Sequence, residues 1–314
     1  MIRIGVLLPT FDPLRVGAPS QLLEAARRAE ALGFDGIWAG DHLQCPAPGL
    51  DATCAIAACA AATERITLGF AVLLLGARQP AWTAKQLITI DQLAPGRLAL
   101  GVGVGGEFPE EFEAAGVSVS QRGARLDEAL GLLPALLGGQ PVRHAGKAMQ
   151  LTAPALQPPI SKLPPIYVGG RGEPAMRRAA RFGDAWMPMW MSPDKLRQRT
   201  QRLAELAAEH GRPAPELKLL LGVHVDPDEA LAREQAGAYI RGQYGMDLER
   251  VERWTPCGSA ERVAEYLAGH VEAGVGEFVL MPLSGDSPAQ YERCAEMRDI
   301  LRAMIARPAL TGSP

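Results

Sequence analysis

Residues 33–43 read Gly-Phe-Asp-Gly-Ile-Trp-Ala-Gly-Asp-His-Leu, an apolar run that breaks into a polar Asp41-His42 pair where a strand should end. The flanking stretches 20–32 and 52–62 carry apolar and small residues at helical spacing. A βα unit with polar groups at the C-terminal end of its strand is the repeating module of a TIM barrel. The competing reading of His42 is a loop histidine satisfied by local hydrogen bonds, since imidazole serves structure as readily as proton transfer.

Working outward, strand-like apolar runs fall at 3–8, 36–39, 66–75, 98–104, 165–168, 184–188, 217–225 and 277–281. Helical patterns separate them, many opened by Ser, Asp or Pro, as at 82–93, 123–137, 174–182, 193–209, 228–240, 259–273 and 288–305. Strands alternating with helices pair in parallel, and eight such units close naturally into a (β/α)8 TIM barrel. An open doubly wound sheet is the main rival. Two segments interrupt the alternation. Residues 138–161, rich in Gly and Pro with a hairpin pattern over 142–151, read as an insertion between strands 4 and 5 that shapes the pocket. Residues 244–258 read as a loop delivering the chain to a helix capped by Ser259. With no repeat, low-complexity tract or linker, residues 1–314 read as a single α/β domain.

The composition narrows the function. The 314 residues are 47% hydrophobic, enough for a large core, and a net charge of -3 offers no basic field for nucleic acid. The opening run through Leu8 is cut short by Pro9, and no apolar stretch reaches membrane-spanning length, so a cytoplasmic protein with no membrane partner is expected. Cys45, Cys54, Cys59, Cys257 and Cys294 form no CxxC pair, and His42, His144, His210, His224 and His270 show no HxxxH or HExxH spacing. Free thiols and no metal site are expected.

Gly101-Val-Gly103-Val-Gly105-Gly106 matches GxGxxG, with Asp127 and Glu128 about twenty residues on, the outline of a dinucleotide fingerprint. Its context is wrong for NAD: it follows the fourth strand, and the acids of Glu107, Glu110 and Glu111 would repel a pyrophosphate. Gly103 and Gly105 instead allow a flat ligand to approach the backbone, or allow tight packing, because no Cβ is in the way. A second cluster, Gly169-Gly170-Arg171-Gly172, stands between a strand and a helix and offers backbone N–H groups, a helix N-terminus and a cation to a phosphate. Trp186, with Met187 and Met189 at the next strand end, can wall a pocket for a planar ring or fill the barrel interior.

Taken together, residues 31–42, 65–72, 92–101, 122–128, 166–170 and 184–186 resemble, in order, the bacterial luciferase-like superfamily of FMN- and F420-dependent TIM-barrel oxidoreductases. The resemblance implies reduced FMN or coenzyme F420 as cofactor, for monooxygenation or hydride transfer on a small organic substrate. It places Ala71-Val72 at a non-prolyl cis peptide beneath the ring, Gly169, Gly170, Arg171 and Gly172 on the cofactor phosphate, and Asp41 and His42 beside the ring. His42 is then the general acid or base, Asp41 sets its orientation, and the substrate lies under the excursion around His144 to Met149. The luciferases themselves carry a cysteine and a phosphate-binding arginine where this chain has Gly103-Val104-Gly105, so the luciferase reaction is not expected. A separate flavin or F420 reductase and a homodimer are the partners the resemblance suggests. The alternatives are a noncatalytic flavin-binding barrel subunit and an NAD-dependent Rossmann dehydrogenase.

Overall fold

The computed structural model describes residues 2–306. In chain order it runs β1 (Arg3–Leu7), α1 (Leu22–Ala31), β2 (Gly36–Ala39), α2 (Ala52–Ala62), β3 (Thr67–Phe70), α3 (Pro80–Leu93), β4 (Leu98–Val102), α4 (Pro109–Ala114) and α5 (Arg122–Leu137). It continues β5 (Val142–Ala145), β6 (Gln150–Ala153), β7 (Ile166–Gly169), α6 (Glu173–Phe182), β8 (Ala185–Met187), α7 (Pro193–Glu209) and β9 (Glu216–Val225). Last come α8 (Glu229–Tyr244), β10 (Cys257–Gly258), α9 (Ala260–Glu272), β11 (Glu277–Pro282) and α10 (Ser287–Ala306).

Eight strands close into a parallel barrel in the order β1-β2-β3-β4-β7-β8-β9-β11, with β11 returning to β1. This excludes the open doubly wound sheet. Because every barrel pairing is parallel, all strand C-termini emerge on one face, and the loops beyond them build the candidate site. Several helices start as their sequences imply: the side chains of Asp51, Ser192, Asp228 and Ser259 accept from the first-turn N–H groups of α2, α7, α8 and α9. α8 runs past the expected boundary to Tyr244 and stops at Gly245, whose φ of 64° is left-handed.

The expected excursion is the antiparallel β5–β6 hairpin between β4 and β7. Glu128 on α5 holds it from the side, accepting from His144 Nε2 at 2.9 Å, Ala148 N at 2.9 Å and Met149 N at 3.1 Å. Its turn lies beside Gln79, Pro80 and Arg125. The hairpin is thus held against the outer helices by its bonds to α5.

The core has two parts. One lies between the strands and the helices; the other fills the barrel around Trp38, Ala99 and Val279 and continues upward into α8 and residues 248–254. At the opposite, N-terminal face, Lys218 of β9 meets the fully buried Glu277 of β11 at 3.0 Å, beneath Tyr167 of β7. Burial works against the Lys218 charge, but Glu277 and Glu216 overcome it and raise its pKa. All five cysteines are free; burial pushes the Cys59 and Cys294 thiols up to about 12, which leaves them inert. Among the described residues, no helix is long and apolar enough to cross a membrane.

Candidate active site

The chain leaves β3 through a cis Ala71-Val72 bond and then threads between its neighbours. Ala71 N donates to Ala39 O at 2.8 Å, Leu73 N to Gly101 O at 2.8 Å, and Gly103 N to Leu73 O at 3.1 Å. This bulge seats Val72 at the barrel mouth, between two glycines. A Cβ on Gly169 would stand 2.8 Å from Val72 Cγ1, and one on Gly103 would strike Cγ2. Gly105, at φ +55°, leaves room for Leu74 in the same way. The glycines at 103, 105 and 169 therefore clear space for the bulge, the tight-packing role that stood beside ligand approach for Gly103 and Gly105. Asp127 and Glu128 are engaged by Arg178 and by the hairpin, so the dinucleotide fingerprint has no structural counterpart.

Asp41 and His42 share the end of β2 but serve different partners. The buried Asp41 carboxylate accepts from Leu74 N at 2.9 Å and from Arg78 Nε at 3.0 Å and Nη2 at 2.5 Å. Arg78 also reaches Asp51 at 2.9 Å. Burial disfavours the guanidinium charge, yet the two carboxylates outweigh it and raise the Arg78 pKa. Asp41 therefore fastens the bulge. It does not orient His42, a correction whose physical reason is that Arg78 and the Leu74 N–H already occupy its oxygens.

His42 is held instead by Glu111 of α4. Its Nδ1 lies 3.2 Å and 3.1 Å from the two carboxylate oxygens, and Leu43 N donates to the same group at 3.1 Å. Glu111 is buried while His42 remains partly open, between the rings of Phe108 at 5.1 Å and Phe11 at 5.7 Å. With Nδ1–H donated to Glu111, Nε2 is free to exchange a proton. Sequence reasoning missed Glu111, because α4 is a helix of only 6 residues carrying Glu110, Glu111 and Glu113 and is too short for periodicity to single one out.

At the end of β7, Gly170 adopts φ +112° and Gly172 caps α6. Glu173, the acid at this helix start, is drawn aside by Arg177 at 3.1 Å and Arg202 at 3.2 Å. The exposed Arg171 stands 5.7 Å from the Trp190 ring centroid. Trp186 is fully buried and donates to Gly170 O at 2.8 Å, so it steadies the loop from beneath. The expectation that Trp186 walls the ring pocket is corrected accordingly. The upper side of the mouth is supplied by α8 and the segment after it: Tyr239, Tyr244, Leu248 and Trp254 belong to the same apolar cluster as Ala71 and Val72.

These residues fit a phosphorylated planar cofactor. Val72 gives an apolar seat that any Cβ at Gly103 or Gly169 would displace, and the Gly169–Gly172 loop opens a full-length helix whose N-terminus attracts a phosphate.

The family model described as luciferase-like monooxygenase matches residues 2–314. The F420-dependent glucose-6-phosphate dehydrogenase of Beutenbergia cavernae is 31% identical over 324 aligned positions, 92% of this chain and 95% of that protein. Uncharacterised mycobacterial relatives reach 36% identity, but the match spans only 54% of their length and 51% of this chain. Among solved structures, an F420-dependent secondary alcohol dehydrogenase bound to an F420-acetone adduct superposes with a TM-score of 0.82 at 24% identity, over 96% of this chain and 99% of that one. The oxygenating constituent of 3,6-diketocamphane monooxygenase from Pseudomonas putida, in complex with FMN, gives 0.77 at 21% identity, over 94% and 96%. At these identities the two structures speak to the fold alone.

Proposed function

The chain belongs to the luciferase-like monooxygenase family, and from that premise we propose that it is an oxidoreductase binding reduced FMN or F420 across the C-terminal mouth of the barrel. The observation that carries this reading is the link from His42 to the bulge. Asp41, the residue before the histidine, bonds the Leu74 N–H, so the imidazole and the Val72 seat are fixed to one strand end. Val72 would seat the ring, and the Gly169–Gly172 loop with Arg171 would hold its phosphate.

When bound, the reduced ring supplies the electron pair, to a carbonyl-type substrate as hydride or to dioxygen in a monooxygenation. The protein's own part is the proton. Glu111 accepts the Nδ1–H of His42 and so fixes the tautomer and the ring orientation, leaving Nε2 to carry the exchanged proton. The partly enclosed position between Phe11 and Phe108 limits water around that atom. A small organic substrate enters beside His42, under α8 and residues 245–254, and a separate flavin or F420 reductase delivers the reduced cofactor.

Titration of the purified protein with FMN, FAD and F420, oxidised and reduced, tests the cofactor. With the preferred one, His42→Ala should lower kcat by about 10²-fold or more, the usual contribution of a positioned acid or base, and leave the cofactor Kd within about threefold. Glu111→Gln, which replaces the carboxylate at Nδ1, should lower kcat less than His42→Ala does. Unchanged turnover in His42→Ala would remove the histidine from the chemistry. A noncatalytic barrel would bind the cofactor yet show no substrate-linked oxidation of it.

A further inference from the structure

Beside the phosphate loop lies a second cavity, of about 420 Å³, framed by Arg171, Lys195, Arg199 and Arg253 with Trp190 and Trp254 as its apolar walls. No acidic side chain lines it, and none of the four cations forms an ion pair among the described residues. This differs from the larger cavity of about 650 Å³ near β10, where Arg233 pairs with Glu252 and Arg262 with Glu229, leaving little net field. The cationic cavity is also organised. Arg199 Nη1 donates to Arg171 O at 2.6 Å, the Arg253 guanidinium stacks 3.9 Å from the Trp254 centroid, and Trp190 sits at φ 52°, a backbone region that L-residues seldom occupy. Trp190 Nε1 and Arg199 Nε are buried donors without a protein acceptor. Four cations without carboxylate partners around one cavity suit a ligand that carries more than one negative charge.

Arg171 belongs both to this cavity and to the loop read as the phosphate site. A ligand continuing past that phosphate would enter directly among the other three cations. FMN ends at its phosphate, whereas F420 continues through a phosphodiester into a lactyl and glutamyl tail bearing carboxylates. We propose that this cavity receives the carboxylate tail of F420 and thereby selects F420 over FMN. The inference rests on the proposed reading of Gly169–Gly172 as the phosphate loop.

The test is fluorescence-monitored binding of three probes: F420 carrying several glutamates, F420 stripped of its glutamates, and FMN. The wild-type protein should bind the glutamylated form at least about tenfold more tightly than the stripped form, a difference of about 1.4 kcal/mol that shrinks as salt is raised. The variant Lys195→Glu/Arg253→Glu changes two exposed side chains outside the loop, so its thermal unfolding should match wild type. It should lose most of the tail preference while its Kd for the stripped form stays within about threefold. Equal affinity of the wild type for both F420 forms would overturn the tail site and leave the cofactor reading standing. A variant that weakens both forms alike, or neither, would overturn it too. If the wild type binds none of the three probes, the phosphate-loop reading itself falls.

Discussion

Asp41 and His42 are adjacent in sequence and divergent in use: one holds the bulge through Arg78 and Leu74, the other is poised by Glu111. Neutralising Asp41 leaves Arg78 paired with Asp51 alone and weakens its charge-assisted hydrogen bonds, at a cost of about 1.5–3 kcal/mol. Asp41→Asn should therefore lower stability by about that amount in urea denaturation and speed amide exchange at Leu74; a midpoint equal to wild type would contradict this role. That the pair ends a strand was legible from the run of apolar residues before it. Its partners were not, because Arg78 lies 37 and Glu111 69 positions away, and periodicity carries no information about contacts at such separation. Trp186 shows a related limit. In a parallel barrel both faces of a strand are buried, so its hydrophobicity did not reveal that it points beneath the glycine loop and away from the mouth.

Among the elements, the β5–β6 hairpin was visible as two short runs set among glycines and prolines, but its docking side was not. It depends on Glu128, whose pKa is held below the ordinary carboxylate value first by His144 and then by the Ala148 and Met149 N–H groups. A carboxylate depressed on folding contributes stability that is fully present above its unfolded pKa of about 4.5 and is lost as pH falls through the lower folded value. Amide exchange at residues 142–153 should accordingly rise below about pH 4.5, while exchange in the barrel strands changes later. Glu128→Gln should raise hairpin exchange already at neutral pH and flatten its response to acid; a wild-type profile in that variant would assign the docking to other contacts. The glycine-rich end of β4 carries a different lesson. Its motif was plain in the sequence, yet its meaning came from Val72 and Leu74, side chains delivered by another strand.

At the scale of the molecule, the barrel could be counted from eight alternating apolar runs, and closure required only that β11 meet β1 and β8 meet β9. The site and the closing ion pair lie at opposite ends of that barrel. Lys218 and Glu277 join β9 to β11 at the N-terminal face, where Glu277→Gln should lower stability by about 3 kcal/mol without altering cofactor affinity. Lys218→Met/Glu277→Leu should be more stable than that single variant, since an apolar pair avoids the desolvation of both charges; urea midpoints of the two variants decide the point. The apolar cluster of the mouth has one further consequence. Its lower half comes from the barrel strands and their ends, from Trp38, Ala71 and Val72 through Tyr167 and Met187 to Val279, and its upper half from residues 232–254. The two halves share contacts but no backbone, so the upper segment can be exchanged as a cassette between related barrels. What enters the mouth can then diverge while the seat beneath it is inherited intact.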